Sequence, residues 1–141
     1  MEYQRLSNRP EELIRFELME KLTHHLHFPS HLLVKERAIS QLPHISQEFT
    51  PQKKPNNLRI DLLAYHWQGE NLYPLVLFEC KHLRPDERAF QQLIAYNQWI
   101  KAPFLAWVSK SHEGLYRMTN KGLIYLGALK PFEDLCQLLK N

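Results

Sequence analysis

Cysteine and glycine are scarce in this sequence. Two cysteines, Cys80 and Cys136, and four glycines occur among its 141 residues. Two cysteines so far apart exclude a disulfide framework and a zinc ribbon, and their scarcity fits a reducing cytoplasm. So few glycines, together with nine prolines, exclude a collagenous or linker-like chain.

Long apolar runs and a large excess of one charge are also missing. No stretch approaches the roughly 18 uncharged apolar residues of a membrane span, and the polar start Met1–Arg5 is unlike a secretory signal. Lysine and arginine total 18 against 15 aspartates and glutamates, which gives a formal net charge of +3. This surplus permits a nucleic-acid partner but is smaller than a DNA-coating protein carries. We therefore expect a cytoplasmic protein without membrane contact.

The composition nevertheless suits a folded domain. Apolar residues make up 44% and charged residues 23%, which is typical of globular proteins. The length is that of one domain, residues 1–141, which can bury a sizeable core without disulfides or a structural metal ion. The predicted elements follow the order α-β-β-β-α-β, then two short strands and a helix, which indicates a mixed α/β structure. The predicted strands are 31–40, 58–67, 73–81, 104–108, 114–118 and 122–125.

The first predicted helix has both a start signal and an apolar face. Asn8 can cap it, with Glu11 as the capping-box partner and Pro10 in the first turn. Its apolar face is formed by Ile14, Leu18, Leu22 and Leu26. Two further helices are predicted to begin at 85–87 and at Pro131.

Three other groups of residues invite a binding role but have simpler explanations. The segment 47–57 is a predicted polar loop, whose Lys53 and Lys54 are either solvated or in contact with a nucleic-acid backbone. The nearby histidines lack a partnering cysteine or acidic cluster, so we expect a solvated helix end; they are His24, His25, His27 and His31. The three tryptophans, Trp67, Trp99 and Trp107, are predicted core residues.

Charged residues mark the ends of the second and third predicted strands. On the second strand, Arg59 and Asp61 lie on one face and Ile60 lies on the other. In the third strand the apolar run 74–78 ends in Glu79 and Lys81, which are two residues apart and share a face. If the two strands pair as a hairpin, Asp61 approaches Glu79 across the sheet.

The closeness of Asp61 and Glu79 favours a metal ion, because neighbouring carboxylates repel one another unless a cation lies between them. Mg²⁺ is the usual ion, bound by one or two carboxylates and several waters. Such an ion lowers the pKa of a bound water and offsets charge on a phosphate oxygen, while a nearby lysine can orient or deprotonate the water. Asp61, Glu79 and Lys81 therefore form a set suited to phosphodiester hydrolysis.

Four segments of the chain occur in a characteristic order. They are Pro10-Glu11-Glu12-Leu13-Ile14-Arg15, Arg59-Ile60-Asp61, Pro74-Leu75-Val76-Leu77-Phe78-Glu79-Cys80-Lys81, and Gln92-Leu93-Ile94-Ala95-Tyr96-Asn97 followed by Lys101-Ala102-Pro103. Together they resemble the PD-(D/E)XK nuclease superfamily, and more narrowly the nuclease domain at the N-terminus of type I restriction enzyme R subunits. The resemblance spans about residues 10 to 118. Ile60 stands where proline is common in this pattern.

This resemblance implies an α/β fold like that of the restriction endonucleases, with an αβββαβ core whose mixed central sheet is flanked by helices. It also implies that Asp61 and Glu79 bind Mg²⁺ or Mn²⁺, with the Cys80 carbonyl as a third ligand. Lys81 would then position the attacking water.

Two helices are expected to add residues to this site. In the family an acid on the first helix often joins it. At about 100° per residue, Glu11 falls on the apolar face of that helix and Glu12 does not, so Glu11 is the expected residue, with its capping-box role as the alternative. Gln92 and Tyr96 lie four apart on one helix face. There they contact the site or the DNA backbone, or else simply pack the helix.

The expected function is therefore Mg²⁺-dependent phosphodiester hydrolysis, with DNA as the foremost substrate. Two alternatives keep the same fold: a non-cleaving nucleic-acid-binding module, and a subunit that supplies a nuclease core to a larger restriction or repair assembly. A homodimer would supply the two active sites that cutting both strands commonly needs. The segment Gly122–Gly127 begins like a Walker A motif but continues with Ala128 and Leu129, so no ATPase is expected.

Overall fold

The computed structural model describes residues 9–46 and 59–140. Within these ranges six strands form one sheet, against which helices pack. The strands are β1 (Leu33–Ala38), β2 (Arg59–Gln68), β3 (Asn71–Cys80), β4 (Phe104–Val108), β5 (Glu113–Thr119) and β6 (Gly122–Gly127). The helices are α1 (Pro10–His24), α2 (Pro43–Ser46), α3 (Glu87–Ile100) and α4 (Phe132–Leu139), with 3₁₀ turns at Ser30–Leu32 and Ile39–Gln41.

The strands lie side by side in their chain order, from β1 to β6. Every neighbouring pair is antiparallel except β3 and β4, which are parallel. A parallel pair needs a crossover connection, and α3 supplies it between these two strands. The expected αβββαβ core, with a mixed central sheet flanked by helices, is confirmed.

The strands β3 and β4 form the centre of the core because both of their faces are covered. All five residues of β4 are buried, as is the run 74–78 of β3. On one face Phe28, which follows α1, packs edge-on against Phe78 with ring centroids 6.2 Å apart. On the other face Phe90 of α3 lies 5.5 Å from Trp107. Burial on both sides explains why the sequence of β3 is apolar without alternation.

The apolar face predicted for the first helix is confirmed except at Leu26, which lies beyond the end of α1 and is half-buried. The start of the helix also differs from the prediction. Ile14, Leu18 and Leu22 of α1 are buried in the core. Arg9 occupies the N-cap position, and its side chain makes no capping hydrogen bond. The predicted cap Asn8 lies outside the described residues, as does the polar loop 47–57 with Lys53 and Lys54.

The predicted strand at 31–40 is wrong at both ends. The 3₁₀ turn Ser30–Leu32 precedes β1, and the turn Ile39–Gln41 follows it. Leu32 and Ile39 are nevertheless buried in the core. Apolar residues that reach the core from turns give a sequence the same character as a strand, and this explains the error.

The prediction of three core tryptophans is wrong for Trp67. Trp107 is 2% exposed, but Trp67 is 52% exposed. Trp67 pairs with Leu72 close to the turn between β2 and β3, and the turn itself is exposed to solvent.

Among the described helices, none is long and apolar enough to cross a membrane.

Asn97 joins the end of α3 to the start of β4. Its amide nitrogen donates to the carbonyl of Ala102 at 2.9 Å, and the Ala102 amide donates to its Oδ1 at 2.9 Å. Asn97 is buried, and Lys101 between the two elements has a left-handed backbone with φ 65°. The side chain thus satisfies two backbone groups where the chain turns sharply into the central strand.

We predict that Asn97→Leu destabilises the protein by about 3 kcal/mol, because two buried backbone groups of Ala102 lose their partners. Urea unfolding followed by circular dichroism measures the change. The exposed neighbour Gln98 serves as the control, since Gln98→Ala on the solvent side of α3 should change stability by less than about 0.5 kcal/mol. Equal stability of Asn97→Leu and the unchanged protein would contradict the role assigned to these two bonds.

Candidate active site

Asp61 and Glu79 meet where the pairing of β2 with β3 ends. The last paired residues at this end are Leu62 and Phe78, so Asp61 and Glu79 occupy the next opposite positions, on the same face of the sheet. The Asp61 carboxylate accepts a hydrogen bond from the Cys80 amide at 2.8 Å. A side chain therefore takes the place of the backbone ladder at this point, and it directs the Asp61 carboxylate toward the end of β3.

Glu79 lies in a mostly buried position beside Asp61. Its side chain is 13% exposed, and on the other side its neighbour in the parallel pair is the buried Trp107. The pKa of Glu79 is raised to about 8, first by burial and then by a hydrogen bond to Asp61 and the negative charge of that residue. Two carboxylates are thus held together in a place where both cannot easily be ionised.

Lys81 is a cation beside this pair. Its Nζ lies 3.6 Å from Oε1 of Glu79, and its side chain is 43% exposed. Burial alone would lower the pKa of Lys81, but the negative charges of Glu79, Glu11 and Asp61 outweigh burial and raise it. The Lys81 amide donates to the carbonyl of Val108 at 2.9 Å, which ties this segment to the end of β4. Lys81 is therefore a protonated, accessible side chain on a fixed backbone.

The first turn of α1 adds Glu11 to the same end of β3. Its Oε2 accepts a hydrogen bond from the His82 amide at 3.2 Å, and its charge acts on both Lys81 and the Cys80 thiol. The neighbouring acid Glu12 instead pairs with Arg9 at 3.3 Å. The structure thus places Glu11, and not Glu12, beside Lys81.

The Cys80 side chain lies on the face opposite the Asp61 and Glu79 carboxylates. The thiol is 1% exposed, and burial raises its pKa, with further increases from the charges of Asp61 and Glu79. A thiol with a raised pKa is neutral and inert. The backbone of Cys80 is consequently its only part that can serve the site.

Arg15 is a charged neighbour of the site that the sequence analysis missed. Its Nη2 lies 2.7 Å from Oε1 of Glu36 on β1, its side chain is 15% exposed, and its charge acts on the Cys80 thiol. The spacing offered a signal, since Arg15 stands four residues after Glu11 and therefore on the same face of α1. Arg59 adds a bond from Nη2 to the Glu36 carbonyl at 3.0 Å, which fixes β1 at this edge.

Gln92 and Tyr96 are both on α3, the helix that packs over the Glu79 face through Phe90 and Trp107. Gln92 is exposed and Tyr96 is half-buried. In the described ranges no hydrogen bond joins either side chain to Asp61, Glu79 or Lys81. The structure therefore leaves both on the covering helix without bringing them into the cluster.

The donor set suits a small, hard cation. Within residues 9–46 and 59–140, no group of three or more histidine, cysteine, aspartate or glutamate side chains is arranged to hold a metal ion. Asp61 and Glu79 supply two carboxylates. The raised pKa of Glu79 shows that its charged form is unfavourable here, and a bound cation would favour that form. Mg²⁺ commonly binds through one or two carboxylates and keeps several waters, so the residues present fit this ion.

The histidines at and after the end of α1 stay apart from this cluster. His24 lies 3.3 Å from Glu20 in an exposed pair, and His27 and His31 are exposed.

A family model for the type I restriction enzyme R protein N terminus matches residues 10–127. The chain belongs to this family. The match begins at the first residue of α1 and ends at the last residue of β6, so it includes the whole sheet and every expected site residue. The family match extends about nine residues beyond the resemblance seen in the sequence motifs, and so includes β6. No curated protein and no solved structure matches the chain.

We predict that Glu79→Gln stabilises the protein at pH 8 by on the order of 2–4 kcal/mol and has little effect near pH 5. The folded pKa is about 8 against an ordinary 4.5, so the folded protein binds more protons than the unfolded chain between these values. The contribution of Glu79 to stability is therefore present at low pH and is lost as the pH rises toward 8.

Urea unfolding of both proteins between pH 5 and 9 measures the difference. Glu12→Gln, at the acid that pairs with Arg9 away from the cluster, is the matched control and should change stability by less than about 1 kcal/mol. Stability curves for Glu79→Gln and the unchanged protein that run parallel over this range would contradict the assignment.

Proposed function

We propose that this domain hydrolyses phosphodiester bonds of DNA with the help of Mg²⁺. The observation that supports the proposal most is the convergence of Asp61, Glu79, Lys81 and Glu11 at the adjoining ends of β2, β3 and α1. Membership in the type I restriction enzyme R protein N-terminal family points in the same direction. Acids beside a lysine at a strand end are the groups that phosphodiester hydrolysis needs.

The Asp61 and Glu79 side chains are the proposed metal ligands, with the Cys80 carbonyl as a third. When bound, Mg²⁺ or Mn²⁺ supplies a cation that lowers the pKa of water and offsets negative charge on phosphate. Glu79 is then held as a carboxylate, because a neighbouring cation favours the ionised form and opposes the effect of burial.

Lys81 is proposed to position the attacking water and to offset charge on the phosphate. Its raised pKa keeps it protonated at neutral pH, so it acts as a hydrogen-bond donor and not as a base. The half-exposed side chain can reach a bound strand, while its backbone stays fixed to Val108. Glu11 acts through the His82 amide and therefore as a positioning residue for the segment that carries Lys81.

The DNA is proposed to lie across the ends of β3 and β4, next to α3. Gln92, which is exposed on that helix, and Tyr96 one turn later are proposed to contact the phosphate backbone. The net charge of +3 is small for tight binding by the domain alone. We therefore propose that a larger restriction assembly contributes to holding the DNA, as membership in a family of restriction-enzyme R proteins suggests.

A second candidate is a DNA-binding or assembly subunit that does not cleave. One observation favours it: the described residues bring only two carboxylates into mutual contact and contain no metal-binding group of three side chains. This candidate predicts DNA binding that weakens with salt, and no strand breakage with any divalent metal.

We predict that Asp61→Asn and Lys81→Ala each reduce Mg²⁺-dependent cleavage of plasmid DNA by about 10²-fold or more, because each removes a charge that acts on the transition state. Gel electrophoresis of a supercoiled plasmid measures cleavage, and calorimetry measures Mg²⁺ binding. Asp61→Asn should lose Mg²⁺ binding, and Lys81→Ala should retain it.

Glu12→Gln is again the matched control and should cleave normally, since Glu12 pairs with Arg9 outside the cluster. Circular dichroism verifies that each variant is folded. Undiminished cleavage by either site variant would refute the assignment, and DNA binding without cleavage by the unchanged protein would favour the second candidate.

A further inference from the structure

The two edges of the sheet differ in how they are protected. The edge strand β1 carries Lys35, Glu36 and Arg37, all exposed. Glu36 also has a left-handed backbone with φ 51°, which interrupts the extended conformation. Charges and a local bend are the usual features that stop an edge strand from pairing with another chain. The β1 edge is therefore closed to further strands.

The β6 edge lacks these features. Its sequence, Gly122-Leu123-Ile124-Tyr125-Leu126-Gly127, has no charged residue and no proline. Ile124 is 52% exposed and Tyr125 is 58% exposed. No strand of the described residues pairs with the outer side of β6, and an apolar edge strand of this kind is rare in a protein that stays alone in solution.

Packing already orders this strand on both faces of the sheet. On one face the rings of Phe90, Tyr116 and Tyr125 form a row, with centroid separations of 5.1 Å and 5.2 Å. On the other face Ile124 pairs with Arg117, whose guanidinium lies 5.8 Å from the Phe104 ring centroid. A strand that is held in place before binding loses little entropy when another strand pairs with it.

We propose that β6 pairs with β6 of a second copy of this chain, in antiparallel orientation about a two-fold axis. The six strands of each copy would then form one continuous sheet across the interface.

The choice of a second copy as the partner of β6 follows from symmetry and charge. A two-fold axis perpendicular to the sheet places one residue of β6 opposite itself. Centred on Ile124, it sets Leu123 against Tyr125 of the second copy; centred on Tyr125, it sets Ile124 against Leu126. In either register only uncharged side chains meet, so two identical strands do not repel one another.

A second copy also closes the association. Because β1 is blocked, β6 is the single open edge that residues 9–46 and 59–140 form in each copy, and pairing β6 with β6 uses both. Pairing β6 with β1 would set the charged run 35–37 against apolar residues and would build an open filament instead of a closed dimer. The proposal is independent of the proposed nuclease function, since β6 lies three strands away from Glu79 in the sheet.

The first test is the mass of the protein in solution by light scattering and sedimentation over a wide range of concentrations. The unchanged protein should be a dimer, and Ile124→Lys should raise the dissociation constant by about 10-fold or more, because it sets the new charge opposite its own copy in one register and opposite Leu126 in the other. Leu83→Lys is the matched control: Leu83 is 72% exposed but lies outside β6, so this variant should remain dimeric. A monomer at every concentration, or a dimer that Ile124→Lys leaves intact, overturns the proposal.

The second test is disulfide cross-linking, which does not depend on how Ile124→Lys folds. In a Cys136→Ser background, Ile124→Cys or Tyr125→Cys should form a cross-linked dimer under mild oxidation, because a residue on the axis faces its own copy within disulfide reach. The variant that cross-links identifies the register. Cys80 is buried and does not interfere. Absence of a cross-link in both variants overturns the proposal.

Discussion

The hydrogen bond from the Cys80 amide to the Asp61 carboxylate is the contact on which the candidate site depends. It forms where the ladder between β2 and β3 ends, so a side chain accepts the bond that a backbone carbonyl would otherwise accept. This bond fixes the Asp61 carboxylate beside Glu79, in a mostly buried position. The rest of the site then follows: the pKa of Glu79 rises to about 8, and Lys81 is drawn to within 3.6 Å of it.

The fold supports this unfavourable arrangement with a strong core. The parallel pair of β3 and β4 is covered on both faces, and the Lys81 amide bonds to the carbonyl of Val108 at its end. The first turn of α1 reaches the same point through Glu11 and the His82 amide. Strands β3 and β4 and helix α1, which lie far apart in the sequence, therefore keep the Asp61 and Glu79 carboxylates close together despite their repulsion. Charged groups that repel one another but are kept close together by the packing around them are common in catalytic and metal-binding sites.

Much of the fold could be predicted from local sequence patterns, and the errors have identifiable causes. The strand 104–108 and the helix that begins at Glu87 were predicted correctly, because a short apolar run and a helical period are strong local signals. The predicted ends of the first strand, at residues 31 and 40, were wrong because Leu32 and Ile39 reach the core from 3₁₀ turns. Trp67 was misplaced because the exposure of a hairpin end depends on what packs over it. Asn97 gave no signal, since the partner of a buried amide is known only after folding.

The sequence by itself determined the α/β order of elements, the shared face of Glu79 and Lys81, and the choice of Asp61 as the opposing acid, because all three follow from the two-residue period of strands and from hairpin pairing. The helical period also favoured Glu11 over Glu12. Only the tertiary structure decided that Glu11 meets the His82 amide at the end of β3, that Arg15 pairs with Glu36 beside the cluster, and that β6 is an edge of the sheet in the described part of the chain. Those features depend on how a helix rotates against a sheet and on which strand comes last. Both are set by packing between residues far apart in the chain, which no local pattern records.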